Sequence, residues 1–333
     1  MMNKEINYSI IIPHKNIPKL LQRCLDSIPR RKDLQIIIVD DNSDPEKVDF
    51  DNFPGLNDPF VEVIFTKEGK GAGYARNVGL SKATGKWLLF TDADDFYNYC
   101  IDDILEEYVN FNADIVFFNV NSLDSDTYTT TYRCIHYKAY TDYWLYSPDK
   151  ANILFRYKHS NVCFKLIKNE LVQKNSISFD EVSIANDATF AYLAGYYADT
   201  IHVDVRSLYC MTVRKGSIRN SNMTFEKKIE VFYVIAKRYL FFKKHNIQFS
   251  FAYTFIILLI KMFFLNKINY IKARNILVEL GFSSSEILCL CIFNCIVYIP
   301  NRILIKIFPE RKFLPFIDSR FRKYLHNIKS FNI

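Results

Sequence analysis

The sequence predicts an α/β fold, a mostly parallel sheet flanked by helices, continued by a C-terminal helical region. Three observations carry this expectation. Over the first 120 residues, short apolar runs alternate with segments whose apolar residues recur at helical spacing. Pro13, Asp41 and Asp92 each fall at or just past the end of such a run, the edge where open α/β sheets bind ligands. From Phe225 onward the pattern changes to long helices rich in Phe, Ile, Leu and Lys.

The elements follow in order. Residues 8–12 form an apolar strand closed by Pro13, and residues 18–28 a helix with Pro18 in its first turn. Residues 35–39 are a β-branched strand ending at Asp40-Asp41, and residues 61–66 another strand. A helix over 72–83, closed by Gly85, precedes the strand 87–91, which delivers the chain into an acidic turn. A helix at 100–111 and a strand at 115–120 complete this part. The middle is mixed, with strands at 162–167 and 201–211 and a helix at 187–198.

A chain of 333 residues, 50% hydrophobic and 24% charged, suits one large domain or two modest ones and excludes general disorder. The net charge of +7 is unevenly spread. Residues 210–333 carry 21 Lys and Arg against 6 Asp and Glu, whereas the remainder carries 22 against 30. A basic back half points to an anionic surface, either lipid or nucleic acid. The eight cysteines include no CxxC pair; Cys289, Cys291 and Cys295, in an apolar run, are expected to be buried small hydrophobes in a reducing cytosol. No signal peptide is expected, because the first apolar stretch is five residues long.

Three segments carry chemistry. In Thr91-Asp92-Ala93-Asp94-Asp95, a tight turn gathers carboxylates that repel one another unless a cation sits between them. Mg²⁺ or Mn²⁺ suits such oxygen ligands together with substrate phosphates. In Asp40-Asp41-Asn42-Ser43, a carboxylate at a strand end either accepts hydrogen bonds from a nucleotide or merely shapes the turn. In Gly69-Lys70-Gly71-Ala72-Gly73, three of nine glycines open a helix whose N–H groups are placed to approach an anion, with Arg76 one turn inside. A dinucleotide-binding fingerprint fails here, because Arg76 stands where the third glycine belongs and the loop does not follow the first strand.

Together with Ser9 to Asn16 (Ser-Ile-Ile-Ile-Pro-His-Lys-Asn), Ile37 to Ser43, Ala75 to Gly79 and Ala83 to Lys86, the Asp92-to-Asp95 turn stands in an order that resembles family 2 glycosyltransferases. The likeness covers residues 8–120 closely. It implies the A-type glycosyltransferase fold and inverting transfer from a nucleotide-diphosphate sugar, with UDP-sugar the expected donor. By position, Pro13 and Asp41 resemble the base contacts, Arg76 the nucleotide-side arginine, Asp92 a ribose or metal contact, and Asp94 the direct metal ligand. Asn186-Asp187-Ala-Thr-Phe190 resembles the family's E-D-x-x-F segment, making Asp187 the general base; Asn186 replaces the usual Glu. Lys165 lies in what looks like the lead-in to that segment. Arg214, Lys215 and Ser217 resemble a late segment that contacts diphosphate or acceptor.

The resemblance divides the chain into a nucleotide-sugar half (1–120), an acceptor half (121–222) and a basic helical region (223–333). The implied acceptor is a glycan, lipid-linked, in bacterial capsule, O-antigen or exopolysaccharide assembly. Two readings of the back half stand: helices packing a buried face, or helices lying on an anionic membrane surface. Its most apolar pieces, 251–260 and 287–299, are too short to span a bilayer. A cytoplasmic protein, peripheral on the inner membrane face, is therefore expected. No nucleic-acid-binding motif accompanies the basic charge. A nucleotidyltransferase, a basic nucleic-acid-binding protein and a non-catalytic homologue are the rival readings, the last motivated by Asn186.

Overall fold

The structure, a computed structural model, describes residues 5–214, 224–247 and 267–287. The chain forms two compact units, residues 1–222 and 223–333. The first contains β1 (Tyr8–His14), α1 (Pro18–Asp26), β2 (Leu34–Asp41), β3 (Val61–Thr66), α2 (Ala72–Lys82), β4 (Trp87–Phe90) and β5 (Phe96–Tyr97). It continues with α3 (Ile101–Glu107), β6 (Ile115–Asp124), α4 (Ile135–Tyr146), α5 (Pro148–Tyr157), β7 (Lys165–Lys168), α6 (Asn169–Lys174), α7 (Asp187–Tyr197) and β8 (Ile201–Val213).

The eight strands make one sheet in the order β3-β2-β1-β4-β7-β6-β8-β5. β3, β2, β1 and β4 run parallel, as do β6 and β8; β7 is antiparallel to both its neighbours and β5 to β8. The expected mostly parallel, helix-flanked sheet is therefore present, with β7 reversed at its centre. Every residue of β1 is buried, as a strand covered on both faces requires, and this is why its sequence is a continuous apolar run rather than an alternation. β3, at the edge, has no fully buried residue.

Helix α1 starts with Pro18, whose missing N–H falls where no intrahelical acceptor exists, and buries Leu21, Cys24 and Leu25. Helix α2 opens at Gly71, whose φ of +97° is open to glycine alone at little cost. Gly73 lies in its first turn, where a Cβ would stand 2.1 Å from the Asp180 carbonyl oxygen. Glycine is thus what lets the 180–187 segment close against this helix.

The second unit contains α8 (Phe225–Lys244) and α9 (Lys267–Glu279), which pack Phe232 and Ala236 against Ala273 and Leu277. Thr224 caps α8 by accepting from the Lys227 N–H at 3.4 Å. Among the described residues, no helix is long and apolar enough to cross a membrane. Cys289, Cys291, Cys295, the segment 251–260 and the residues after Ile287 lie outside the described residues.

Candidate active site

The strand register brings the polar ends to one rim. His14 of β1 pairs with Asp40 of β2, and Ile11 pairs with Phe90, the last residue of β4. Pro13, Asp41 and Asp92 therefore emerge side by side, Pro13 lying beyond the last β1–β4 pair.

The two neighbouring aspartates of β2 divide the labour. Asp40 is structural: it contacts His14 Nδ1 at 2.7 Å and accepts from the Ser43 N–H at 2.9 Å and the Ser43 hydroxyl at 2.6 Å. His14 Nε2 accepts from the Ile17 N–H at 3.1 Å, so Nδ1 is the donor to Asp40. Burial works to raise the Asp40 carboxyl, but the bonds from His14 and Ser43 prevail and hold it below the ordinary range. Asp41 is 2% exposed. Its Oδ2 accepts from the Gly71 N–H at 2.9 Å and from Lys15 Nζ at 3.3 Å. Its Oδ1 is buried with no hydrogen-bond partner, so an acceptor stands open at this rim. The glycine run thus serves a carboxylate: the Gly71 N–H, placed by the sequence toward an anionic ligand, reaches Asp41 instead.

Arg76 is buried and joins three elements. Its Nη2 donates to Asp92 Oδ1 at 2.5 Å and its Nη1 to Asn186 Oδ1 at 2.7 Å, while its guanidinium lies 5.5 Å from the Phe179 ring centroid. Asn186 precedes α7, and Asp187 is the helix's first residue. The Asp187 side chain is partly buried. Desolvation pushes its carboxyl above the ordinary range, Arg76 opposes that rise and Asp92 adds to it.

The acidic turn is held from behind by β8. Tyr209 Oη accepts from the Asp92 N–H at 3.0 Å and donates to Asp95 Oδ2 at 3.0 Å. Asp95 Oδ1 accepts from the Thr212 N–H at 2.6 Å, and the Thr212 hydroxyl donates to the Asp94 carbonyl at 2.7 Å. Asp95 is buried, and burial, then Asp94 and Asp92, push its carboxyl well up. Asp94 Oδ2 accepts from Arg214 Nε at 2.9 Å. Oxygens of Asp92, Asp94 and Asp95 lie within 4.8 Å of one another. Both oxygens of Asp95 are engaged, by Tyr209 and Thr212, whereas Asp92 gives Oδ1 to Arg76 and Asp94 gives Oδ2 to Arg214; the hard oxygen donors of this cluster fit Mg²⁺ or Mn²⁺.

Lys165, on β7, is 2% exposed; its Nζ donates to the His159 carbonyl at 2.7 Å and lies 4.8 Å from the Phe117 ring centroid. Burial pushes its amine down to about 7, against the attraction of Asp187.

The structure therefore brings Arg76 onto Asp92 and Arg214 onto Asp94, and links Asp187 to the turn through Asn186 and Arg76. Lys215 and Ser217 lie outside the described residues. Tyr209, Thr212 and Arg23, whose Nη2 donates to the Asp94 carbonyl at 2.6 Å, escaped the sequence reading. Tyr209 reads as an ordinary strand residue and Thr212 falls just past the expected strand 201–211, both more than a hundred positions from the turn they hold.

With this geometry in view, the family described as Glycosyl transferase family 2 matches residues 9–171. Over these residues, just under half of the chain, the sequence is similar to that family. Among its relatives is a PGL/p-HBAD biosynthesis glycosyltransferase of Mycobacterium bovis, 40% identical over 92 residues, which are 26% of this chain and 35% of that one. Glycosyltransferase GlyG of Streptococcus pneumoniae is 26% identical over 251 residues, 69% of this chain and 78% of its own. The chain spans about a third of the length of the first curated relatives it matches. In fold it is similar to S. aureus TarS residues 1–349 in complex with UDP-GlcNAc, with a TM-score of 0.56 at 19% identity over 82% of this chain and 81% of that one.

Proposed function

We propose that this protein is an inverting, metal-dependent glycosyltransferase that moves a hexose-type sugar from a UDP-sugar to a hydroxyl of a glycan acceptor. The observation that carries the reading is Arg76, which ties Asp92 of the acidic turn to Asn186, the residue before Asp187. A donor site and a candidate base thereby share one buried link.

In this reading Pro13 and Asp41 receive the base, the free Asp41 Oδ1 accepting a donor such as a uracil imide N–H. Arg76 holds Asp92 aimed at ribose and metal. Asp94 and Asp92 would hold a divalent cation, which would supply charge neutralisation at the diphosphate leaving group. Asp187 takes the proton of the acceptor hydroxyl as its oxygen bonds to the anomeric carbon and the bond to UDP breaks, so one displacement inverts that carbon. A raised carboxyl is a stronger base than an ordinary one, which suits this task. In the same reading Arg214, Lys215 and Ser217 contact the diphosphate or acceptor, Arg214 exchanging its bond to Asp94 for that contact.

The UDP-GlcNAc bound by TarS motivates the choice of nucleotide. The basic residues 223–333 suit a lipid-linked acceptor at an anionic membrane surface, in capsule, O-antigen or exopolysaccharide assembly on the cytoplasmic face. Thermal stabilisation by a panel of nucleotide sugars, with and without Mn²⁺, tests the reading. A metal-dependent shift with UDP-sugars supports it, and no shift with any nucleotide sugar overturns it.

A further inference from the structure

Among the described residues, three guanidinium groups bond to the acidic turn, and they are held in different ways. Arg23 Nη2 donates to the Asp94 carbonyl at 2.6 Å and its Nη1 to the Ser125 carbonyl at 3.2 Å, so it ties main chain to main chain. Arg76 is buried, bonded to both Asp92 and Asn186, and packed beside the Phe179 ring. Arg214 stands one residue past the end of β8. Its Nε donates to Asp94 Oδ2 at 2.9 Å, and its side chain is 25% exposed against 7% for Arg76.

These bonds balance the charge of the turn. Asp92 faces Arg76 and Asp94 faces Arg214, one cation to each carboxylate. That balance works against a metal. A divalent cation taking the Asp94 carboxylate would stand beside the guanidinium already there, and two cations so close repel each other in a partly buried setting. One of them must leave. Arg76 is fixed by burial and by its second partner, Asn186. The Arg214–Asp94 pair is partly exposed on both sides, the kind of ion pair that costs little to break. The backbone need not follow, because Arg23 and Thr212 both hold the Asp94 carbonyl.

We propose that Arg214 is a placeholder for the metal, whose guanidinium neutralises Asp94 until a divalent cation and the nucleotide's diphosphate arrive together. The inference rests on the metal-dependent reading above and adds a coupling to it. A cation that arrives alone costs Arg214 its carboxylate and offers nothing in return. When the nucleotide arrives too, the diphosphate oxygens give the displaced guanidinium a charge-assisted acceptor. Metal and donor therefore favour each other's binding through one side chain of the protein, by the same factor in both directions.

Calorimetric titration of the full chain tests this, with Mn²⁺ alone and then with UDP at saturating Mn²⁺. Wild type, Arg214→Ala and Arg214→Lys are compared, and melts followed by circular dichroism check each fold. Arg214→Ala should bind Mn²⁺ alone at least about threefold more tightly, the scale of a partly exposed ion pair. It should bind UDP at saturating Mn²⁺ about tenfold more weakly, the scale of a lost hydrogen bond to a charged group. The opposite signs separate an exchange from general damage, which would weaken both. Arg214→Lys keeps the charge and should stay near wild type with Mn²⁺ alone. Arg214→Gln, closer in size, carries the same test should the alanine variant lose its cooperative melt. No gain in Mn²⁺ affinity in the neutral variant, undetectable binding included, overturns the placeholder, and so does an unchanged affinity for UDP at saturating Mn²⁺. A wild-type chain whose UDP binding is indifferent to Mn²⁺ fails the metal-dependent reading itself, a separate result.

Discussion

Arg76 and Asn186, 110 residues apart in sequence, are joined by a 2.7 Å hydrogen bond in which the guanidinium donates to the amide oxygen. The Asn at this position, where the family's pattern has Glu, therefore keeps the acceptor that the arginine needs. It also spares the site one more negative charge beside Asp92 and Asp187. The same guanidinium holds Asp92 with its other nitrogen, so one planar group spans two partners.

Replacing that fork is expected to be damaging. Arg76→Lys retains the charge but cannot reach Asn186 and Asp92 at once in the same geometry. We expect a loss of stability of about 1–3 kcal/mol, from a broken buried hydrogen bond, and transfer at least about a hundredfold slower. Denaturant unfolding and initial rates on the same preparation measure both.

Asp187→Asn should leave the fold and UDP binding nearly intact while lowering transfer by about 10²–10⁴-fold, the usual contribution of a general base. Loss of UDP binding in this variant would sink the base assignment. As the proposed base, Asp187 would act only when ionised, and its carboxyl is raised above the ordinary range near 4. The transfer rate should therefore fall on acidification with an apparent pKa above that range. A rate that stays flat down to pH 4 would contradict it.

Metal affinity should depend on Asp94. Asp94→Asn removes a charge from the candidate metal site and breaks the 2.9 Å ion pair with Arg214. The Mn²⁺-dependent part of the thermal shift with UDP should disappear in this variant, while any metal-independent UDP shift remains. Titration calorimetry with Mn²⁺ alone gives an independent reading.

Lys165 predicts a pH dependence of stability. Its amine loses its proton near 7 in the folded protein, whereas an unfolded lysine keeps it to about 10. Between those values the unfolded chain binds more protons, so raising the pH favours the fold. Lys165→Met should flatten this dependence and raise the melting temperature at pH 6 relative to wild type. Scans from pH 6 to 9 distinguish the two, and parallel curves would refute the burial argument.

Gly73→Ala places a Cβ 2.1 Å from the Asp180 carbonyl, closer than any real contact, so α2 and the segment before α7 must separate. Overpacking of this kind costs about 1–3 kcal/mol. Because that segment leads to Asn186 and Asp187, kcat should fall with stability. Hydrogen exchange should show the loss of protection centred on residues 180–190.

Much of the first 120 residues was legible in the sequence because their signals are local. β1, β2 and β4 are continuous apolar runs, and continuous burial writes itself into consecutive residues. Pro13, Asp41 and Asp92 stand at their ends, and parallel strands put their carboxyl ends on one edge. Local rules could also foresee Asp187 at a helix start.

What the tertiary structure alone decided is which polar atoms meet. Asp40 and Asp41 are adjacent and chemically identical, yet packing gives one to His14 and Ser43 and leaves the other with an unpaired oxygen. Asp95, one of three similar carboxylates, is claimed by Tyr209 and Thr212, more than a hundred residues downstream. The Gly71 N–H turns to a carboxylate of this chain rather than to an incoming anion. Hydrogen bonds depend on distances of tenths of an ångström between segments far apart along the chain. Periodicity and composition describe each segment's own faces and carry no information about such distances.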